Sequence, residues 1–266
     1  MTETITVITL TRHRPELVQR AIRSVAAQRT MHTVRHVVLI DDCPDTRDAL
    51  AGRYPGVEVR YQPRRPDEVS GPGRSSRLRN LGVRDSPDKW IAMLDDDNEW
   101  TPDHLDSLVH CARSAGVRAA FSLVQLLTPD GAPYLEHRWP WARDPEEGAR
   151  LYKEKVDQGV ISPGSNITGN PPGVYAEPAD TSSWLLAREL LAEVPFDERF
   201  TARDADDLIG EDDKLFFALL ARGEPMARSG RPTLRYYLGG YSNSATGRTD
   251  ASFSWASADR ATRAAD

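Results

Sequence analysis

The amino-acid sequence predicts an α/β fold in which helices cover both faces of a doubly wound, mostly parallel sheet. Two observations favour this class. Short apolar segments rich in β-forming residues alternate with segments of helical periodicity, and polar groups follow several of the apolar segments. A length of 266 residues corresponds to one large domain or two small ones.

The first half of the chain carries the regular alternation. Ile5, Val7 and Ile8 predict the first strand, and a polar turn over 11–15 leads into a helix, because apolar residues recur at helical spacing as far as Val25. Further strands are predicted over 36–40, 57–61, 90–94 and 117–127, and further helices over about 46–53, 75–83 and 102–115.

The second half is less regular. Residues 128–181 are rich in Pro, Gly and Trp, so we expect long binding loops with one short helix near 145–157. Amphipathic helices are predicted over 183–194 and 211–222. The Ser-, Thr-, Ala- and Arg-rich segment 241–266 is expected to be a mobile tail.

Composition excludes several classes of protein. A net charge of −6 disfavours binding to nucleic acid or anionic membranes. No run of 18 apolar residues is present, and the first ten residues lack the basic region of a signal peptide. Two cysteines, Cys43 and Cys111, cannot form a disulfide framework. We therefore expect a cytoplasmic protein with no nucleic-acid partner and no integral membrane segment.

Polar groups follow three predicted strands: Thr11 after the first, Asp42 after the second, and residues 95–97, three consecutive aspartates, after the fourth. Ligands of open α/β sheets bind at this edge. Three adjacent carboxylates repel one another unless a cation neutralises them, and hard oxygen ligands favour Mg²⁺ or Mn²⁺. The alternative is that the triplet only caps the next helix, but its position after an apolar strand favours binding.

A second acidic group, Glu211, Asp212 and Asp213, begins the last predicted helix. Helix capping and the macrodipole are its ordinary explanation. The helix is anchored by apolar residues such as Leu215, so a carboxylate here would also be held well enough to act as a general base. We expect Asp212 to be mostly ionised near neutral pH, because the helix dipole favours its charged form.

In their order along the chain, these elements resemble family 2 glycosyltransferases over about residues 4–222. The opening strand, turn and helix are TITVITLTRHRPELVQRAIRSVAAQ, and the second strand with its aspartate pair is HVVLIDDCPD. GRSSRLRNLGV resembles the Ala-Arg-Asn-x-Gly helix, and WIAMLDDDNEWTPDHL the strand that carries the DXD motif. SSWLLARELLAEVPFDERF and GEDDKLFFALLARG resemble the acceptor-side helix, the Phe-Asp-Glu turn and the Glu-Asp motif.

The resemblance implies a GT-A type single domain. Residues 1–127 would form the nucleotide-sugar-binding half and residues 128–240 the acceptor-binding half with the catalytic base. The implied activity is hexosyl transfer with inversion, dependent on Mn²⁺ or Mg²⁺, to a soluble small-molecule or glycan acceptor such as a specialised metabolite. A UDP-sugar is the favoured donor, with dTDP- and GDP-sugars as alternatives.

The resemblance also implies a donor site. Thr11 and Asp42 look like contacts to the nucleoside, Asp42 to its base, and Arg79 looks like a donor-site residue. The alternative is that Thr11 caps its helix and Arg79 forms a surface ion pair. His13 and Cys43 depart from the family pattern near the base, which leaves the base open.

The metal site and catalytic base are implied in the same way. Asp95 and Asp97 are the two carboxylates of the DXD motif, with Asp96 near the ribose and Asp97 as the direct metal ligand. Asp212 corresponds to the catalytic base. No histidine follows His137, so the third metal ligand is open, and the leaving diphosphate has three candidate partners in Arg231, Arg235 and Arg248.

The acceptor is expected at Trp139, Trp141 and Glu211, with Asn166 and Tyr175 nearby, because flat aromatic rings stack on sugar rings; the alternative is that the tryptophans only anchor their loop. Two other functions fit part of this pattern. A nucleotidyltransferase of similar fold would require a glycine-rich first turn, which TRHRP is not. A noncatalytic sugar- or metal-binding module would not require a carboxylate at Asp212.

Overall fold

The computed structural model describes residues 2–65, 68 and 71–240. The predictions for the segment 241–266 and for Arg248 lie outside these residues. The described residues form nine strands: β1 (Thr4–Thr11), β2 (Thr33–Asp41), β3 (Val57–Gln62), β4 (Trp90–Met93), β5 (Glu99–Trp100), β6 (Ala119–Leu127), β7 (Ile167–Thr168), β8 (Trp184–Ala187) and β9 (Met226–Tyr237).

Eight helices are found in the same residues: α1 (Pro15–Ala26), α2 (Pro44–Leu50), α3 (Pro72–Asp85), α4 (His104–Ala115), α5 (Pro145–Asp157), α6 (Arg188–Glu193), α7 (Ala202–Asp206) and α8 (Glu211–Ala221). A 3₁₀ turn spans Thr181–Ser183. None of the helices in the described part of the chain combines the length and the apolarity needed to cross a bilayer.

One sheet runs through the domain in the order β3-β2-β1-β4-β8-β6-β9-β5, and β7 pairs with β6. The first four strands of this order are parallel to one another. The predicted α/β class and single domain are confirmed. Because β1, β2 and β4 point the same way, the residues that follow them emerge at one edge of the sheet.

The second half of the sheet differs from the sequence-based prediction. β8 lies between β4 and β6 and is antiparallel to both, so the helix predicted over 183–194 is wrong over Trp184–Ala187 and only α6 is helical. All four residues of β8 are buried. A short apolar run of this kind cannot be told from a buried helical segment by periodicity.

Strand β9 was not predicted. Its sequence, MARSGRPTLRYY, contains glycine, proline and three arginines, which disguise a strand. It pairs in parallel with β6, with register shifts between Phe121 and Val124. The irregular pairing accommodates Pro232, which has no amide hydrogen to donate.

Gly82 sets the distance between α3 and β1. A Cβ atom at this position would lie 2.8 Å from Cδ1 of Ile8, a buried core residue. The glycine therefore lets the helix pack closely against the sheet. Since Arg79 is one turn earlier on the same helix, this contact also positions Arg79 near the carboxyl end of β4.

We expect Gly82→Ala to destabilise the fold by about 1–3 kcal/mol, because overpacking outweighs the roughly 1 kcal/mol that alanine adds through helix propensity. Urea unfolding measures the change. In an Ile8→Val background, which lacks the closest atom, the same substitution should cost less. An alanine variant as stable as the wild type would show that α3 and β1 can separate freely.

Candidate active site

The three aspartates after β4 lie in a tight turn. The amide of Leu94 still donates to Ile8 at 3.0 Å, and the chain then reverses, so that the Asn98 amide donates to the Asp95 carbonyl at 3.2 Å. Ser182 Oγ accepts from the amide of Asp95 at 3.1 Å and from the side chain of Asn98 at 3.2 Å. The start of the triplet is thus fixed by the 3₁₀ turn that precedes β8.

Arg79 links the triplet to α8. It is buried, with 4% of its surface exposed. Its guanidinium donates to Asp95 Oδ1 at 2.7 Å and to the carboxylate of Glu211. Burial disfavours the charged guanidinium, but the carboxylates of Glu211 and Asp95 outweigh it and hold the pKa of Arg79 above its ordinary value. The structure therefore brings three predicted site residues into one ion-pair network.

Arg14 pairs with the other two carboxylates of the triplet, and Arg20 contacts its backbone. Arg14 Nη1 lies 2.8 Å from Asp97 Oδ2 and 3.1 Å from Asp96 Oδ1. Arg20 donates to the backbone carbonyl of Asp97 and stacks over a tyrosine ring of β9. Sequence reasoning missed both arginines, although Arg14 is part of the TRHRP turn. The repulsion within the triplet is thus reduced by the chain's own cations.

Burial still acts on Asp96. It raises the pKa of this carboxyl to about 7, although the positive charge of Arg14 opposes the shift.

The chain just after β9 passes close to the third aspartate, since a Cβ at Gly240 would lie 2.8 Å from Asp97 Oδ2. Glycine at this position permits that approach.

The triplet has the chemistry of a hard-cation site but does not complete one. Among the described residues, no three Asp, Glu, His or Cys side chains converge to hold a metal ion. Asp95 and Asp97 supply two carboxylates. Mg²⁺ commonly takes one or two protein carboxylates and completes its coordination with substrate phosphates and water. The donor set therefore fits a divalent ion that binds together with a phosphate ligand.

Asp212 lies in the first turn of α8, where its Oδ1 accepts from the amide of Asp213 at 3.0 Å. Asp213 reaches back to the start of the helix, where its Oδ2 accepts from the amide of Gly210 at 2.6 Å. Burial raises the pKa of Asp212 well above its usual value, and the nearby carboxylates, Asp213 first, add to the shift. Burial and these neighbours thus oppose the ionised form that the sequence led us to expect.

A cavity of about 570 Å³ extends from the start of the triplet to the first turn of α8. Asp95, Glu211 and Asp212 line it together with Trp139 and Trp141. Thr11, Asp42, Arg79, Asp96 and Asp97 are not among its lining residues. The cavity thus places the expected acceptor residues beside the expected base and next to the end of β4.

Asp180 is a further carboxylate of this cavity that the sequence did not reveal. Its Oδ1 accepts from the amide of Ser182 at 2.8 Å. Burial, followed by the charge of Asp95, raises its pKa to about 8. It lies in the aperiodic 128–181 segment, so no pattern in the sequence distinguished it.

The two tryptophans both line the cavity and anchor their loop. Their ring centroids are 5.1 Å apart, and Trp141 packs edge-on against Tyr236 at 5.3 Å. Asn166 and Tyr175 do not line the cavity. Each instead holds a loop, through hydrogen bonds to the carbonyls of Leu126 and Met226, respectively.

Two of the arginines considered for the diphosphate lie within the described residues. Arg231 forms an ion pair with Asp103, and Arg235 lies 3.9 Å from Glu99. Neither lines the cavity. Arg14 and Arg79 are the cations that the described structure places against the triplet.

The turns after β1 and β2 form a separate surface beside the triplet. His13 and Asp42 have φ values of 54° and 47°, a conformation that is uncommon for residues other than glycine and is concentrated at functional sites. Asp42 Oδ1 accepts from the Tyr61 hydroxyl at 2.7 Å, and this hydrogen bond lowers the pKa of Asp42. Thr11 is buried at the end of β1.

This fold, with carboxylates grouped at the carboxyl end of a central strand, is that of glycosyltransferases. The chain belongs to glycosyl transferase family 2, because the family's sequence profile matches residues 6–162, more than half of the chain. The recognition made from the motifs is confirmed.

Relatives and solved structures agree with this assignment. The succinoglycan biosynthesis protein ExoO of Rhizobium meliloti (strain 1021) is 35% identical over 117 residues, 44% of this chain and 32% of its own. The structure of S. aureus TarS 1–349 in complex with UDP-GlcNAc matches at a TM-score of 0.57 and 12% identity, over 90% of this chain and 59% of that chain.

The mannosyltransferase PcManGT of Pyrobaculum calidifontis, in complex with GDP-Man and Mn²⁺, matches at a TM-score of 0.56 and 16% identity. The match covers 89% of this chain and 57% of that one. These structural matches establish the GT-A fold. The chain spans about a third of the length of the succinoglycan relative and less than two thirds of each of these solved chains.

Removing the Arg79 guanidinium should strongly destabilise the fold. Arg79→Met leaves the carboxylates of Asp95 and Glu211 without their shared cation, and breaking a buried pair costs about 3–5 kcal/mol. Urea unfolding in EDTA measures the loss of stability. Arg150→Met, at an exposed arginine of α5, is the control and should change stability by less than about 0.5 kcal/mol. Equal effects of the two substitutions would contradict the account.

Asp180 should make the ligand-free protein less stable as pH rises. Its folded pKa of about 8 lies above the value of about 4 in the unfolded chain, so its contribution is complete below about pH 4 and is lost as pH rises from there to about 8. Asp180→Asn keeps an acceptor for the Ser182 amide but does not titrate. As pH rises, the free energy of unfolding of the variant should therefore increase relative to that of the wild type, by at most about 1.4 kcal/mol per pH unit. Parallel stability curves would contradict the shift.

Proposed function

We propose that the protein transfers a sugar from a nucleotide-diphosphate donor to a small-molecule or glycan acceptor, with inversion at the anomeric carbon. The observation that carries this proposal is that Asp95 of the triplet and Asp212 of α8 line the same cavity. A donor at the triplet and an acceptor in the cavity would then meet beside Asp212. Solved neighbours bound to UDP-GlcNAc and GDP-Man support this class of donor.

In this proposal residues 1–127 bind the donor. Asp42, with its Tyr61 hydrogen bond, would contact the base, and Thr11 the nucleoside. Asp96 would lie near the ribose. Arg79 and Asp95 would face the sugar-diphosphate, a placement supported by their mutual ion pair at the end of β4. A UDP-sugar remains the favoured donor, with dTDP- and GDP-sugars as alternatives.

Asp97 and Asp95 would hold Mn²⁺ or Mg²⁺. A bound divalent ion supplies positive charge next to the diphosphate, which is the leaving group. Arg14 orients the Asp97 carboxylate through its ion pair. The mannosyltransferase neighbour bound to Mn²⁺ supports this use of a metal.

Residues 128–240 would bind the acceptor, with Trp139, Trp141 and Glu211 in the cavity wall. The acceptor's hydroxyl oxygen or amine nitrogen would attack the anomeric carbon, and Asp212 would take the proton that this group loses. Attack from the face opposite the diphosphate inverts the configuration. A raised pKa makes the Asp212 carboxylate a stronger base, at the cost of a smaller ionised fraction.

Asp97→Ala should abolish the metal-dependent part of nucleotide binding. We expect calorimetry with UDP to show tighter binding in Mn²⁺ than in EDTA for the wild type, and equal, weak binding in both for the variant. The exposed Asp48→Ala is the control and should behave as the wild type. The fold should tolerate the change, because the lost Arg14 pair is offset by reduced repulsion within the triplet. Wild-type binding that is equal in Mn²⁺ and EDTA would remove the metal from the proposal.

Asp212→Asn should lower turnover by about 10²–10⁴-fold, the usual contribution of positioned proton transfer, while donor binding is retained. Donor hydrolysis tests this without a known acceptor: UDP-glucose, UDP-GlcNAc and GDP-mannose are screened, and proton NMR reads the anomer first released. Asp157→Asn, at an exposed aspartate of α5 outside the cavity, is the control and should retain the activity.

The wild-type rate should also fall as pH decreases through the raised pKa of Asp212. The acid limb of the pH–rate profile should therefore lie at higher pH than the pKa of an ordinary aspartate. Near-normal turnover in Asp212→Asn would show that another group is the base. Initial release of the retained anomer would show that the reaction is not inverting.

A further inference from the structure

The cavity carries a strong imbalance of charge. Its lining contains nine carboxylates and a single basic residue, Arg143. The carboxylates are Asp95, Glu147, Glu177, Asp180, Asp206, Asp207, Glu211, Asp212 and Asp213. An acceptor therefore enters a cavity lined by many acidic groups and few basic ones.

Ion pairs balance only part of this charge. Arg79 pairs with Asp95 and Glu211, and the pairs Arg143–Glu147, Lys155–Glu177 and Arg203–Asp207 account for three more carboxylates. The other four are Asp180, Asp206, Asp212 and Asp213. None of these four has a cation within 4 Å among the residues that the structure describes.

A metal ion at the triplet would not balance the whole cavity. Asp206 lies on α7 and Asp213 on α8, away from the turn that carries Asp95 and Asp97. Asp213 is repelled by Glu211 and Glu177 rather than by the triplet. Asp206, an exposed residue of α7, and Asp213 are therefore acidic groups of the cavity wall that a cation at the triplet leaves available to a cationic ligand.

The cavity wall also contains aromatic rings and a serine hydroxyl that a ligand can contact. Trp139, Trp141 and the half-exposed Phe217 line it, and aromatic faces attract cations. Lys155 already places its ammonium 5.8 Å from the Trp139 ring centroid. Ser122 is buried, with 3% exposed, and its Oγ has no hydrogen-bond partner among the described residues. A buried hydroxyl of this kind calls for a polar group on the ligand.

We propose that the acceptor is a cationic polyol, a molecule of the amino-sugar class that carries one or more ammonium groups beside its hydroxyls. This inference rests on the proposed function. The ammonium groups lie among Asp180, Asp206 and Asp213 and against the indole rings, and Ser122 binds a hydroxyl or amine of the ring. An acceptor oxygen forms the bond to the anomeric carbon, the bond from that carbon to the diphosphate breaks with its electron pair on the phosphate oxygen, and the acceptor proton passes to Asp212.

A matched pair of disaccharides tests this charge preference. The β-1,4-linked disaccharide of glucosamine and its N,N′-diacetyl counterpart share a skeleton and differ in charge. With UDP and Mn²⁺ present, calorimetry at a pH that protonates the amines should show the amine form binding at least about tenfold more tightly. Its affinity should fall several-fold between about 50 and about 300 mM NaCl, because salt screens charge.

Variants locate the effect. Asp206→Asn should weaken binding of the amine disaccharide about three- to tenfold. Asp157→Asn, at a likewise exposed aspartate that does not line the cavity, should not change it. Ser122→Ala should weaken both disaccharides alike, since it removes a hydrogen bond and no charge. Asp206→Asn and Asp157→Asn variants of equal affinity would place the cation outside the cavity and overturn the inference.

The remaining outcomes separate this inference from the proposed function. If UDP binds but the two disaccharides bind equally, the cationic acceptor is wrong and the donor site stands. If the amine form has an advantage in EDTA that Mn²⁺ abolishes, the amine was occupying the metal site, which also overturns the inference. If UDP itself fails to bind the wild type, the proposed function fails.

Discussion

One buried guanidinium, that of Arg79, joins the aspartate triplet to helix α8. It reaches from α3 to Asp95, at the carboxyl end of the central strand, and to Glu211, the first residue of α8. The arginine can be there because Gly82 lets α3 pack directly on β1. Through this link the position of Asp212 relative to the triplet depends on a single ion-pair network. Residues from three distant parts of the chain thereby act as one site.

The same network shows how the fold tolerates its negative charge. Asp95 is paired with Arg79, and Asp96 and Asp97 share Arg14, so the triplet is largely balanced from within. The deeper carboxylates are not balanced in this way, and burial keeps their pKa values high. Strongly shifted pKa values of this kind cluster at functional sites. The acidic lining makes the cavity complementary to a cationic ligand.

Much of the parallel half of this fold could be predicted from sequence, because buried strands and amphipathic helices there have distinct periodicities. The prediction failed where that signal is absent. β8 is four buried residues long, and β9 contains glycine, proline and arginines on an irregular register. Asp95 and Asp212 were predicted as site residues from motifs, and the cavity does contain both. Asp180 and Arg14 could not be predicted, because their partners lie far away in sequence and only the tertiary fold brings them together.

The central claim is that the triplet binds a nucleotide diphosphate next to the cavity that holds Asp212. A crystal of the complex with UDP and Mn²⁺, measured at the manganese absorption edge, tests it most directly. The account predicts one anomalous peak in contact with Asp97 and the diphosphate, the uracil near Asp42 and Tyr61, and Arg79 still bridging Asp95 and Glu211. A nucleotide bound elsewhere, or a manganese peak away from Asp95 and Asp97, would contradict it.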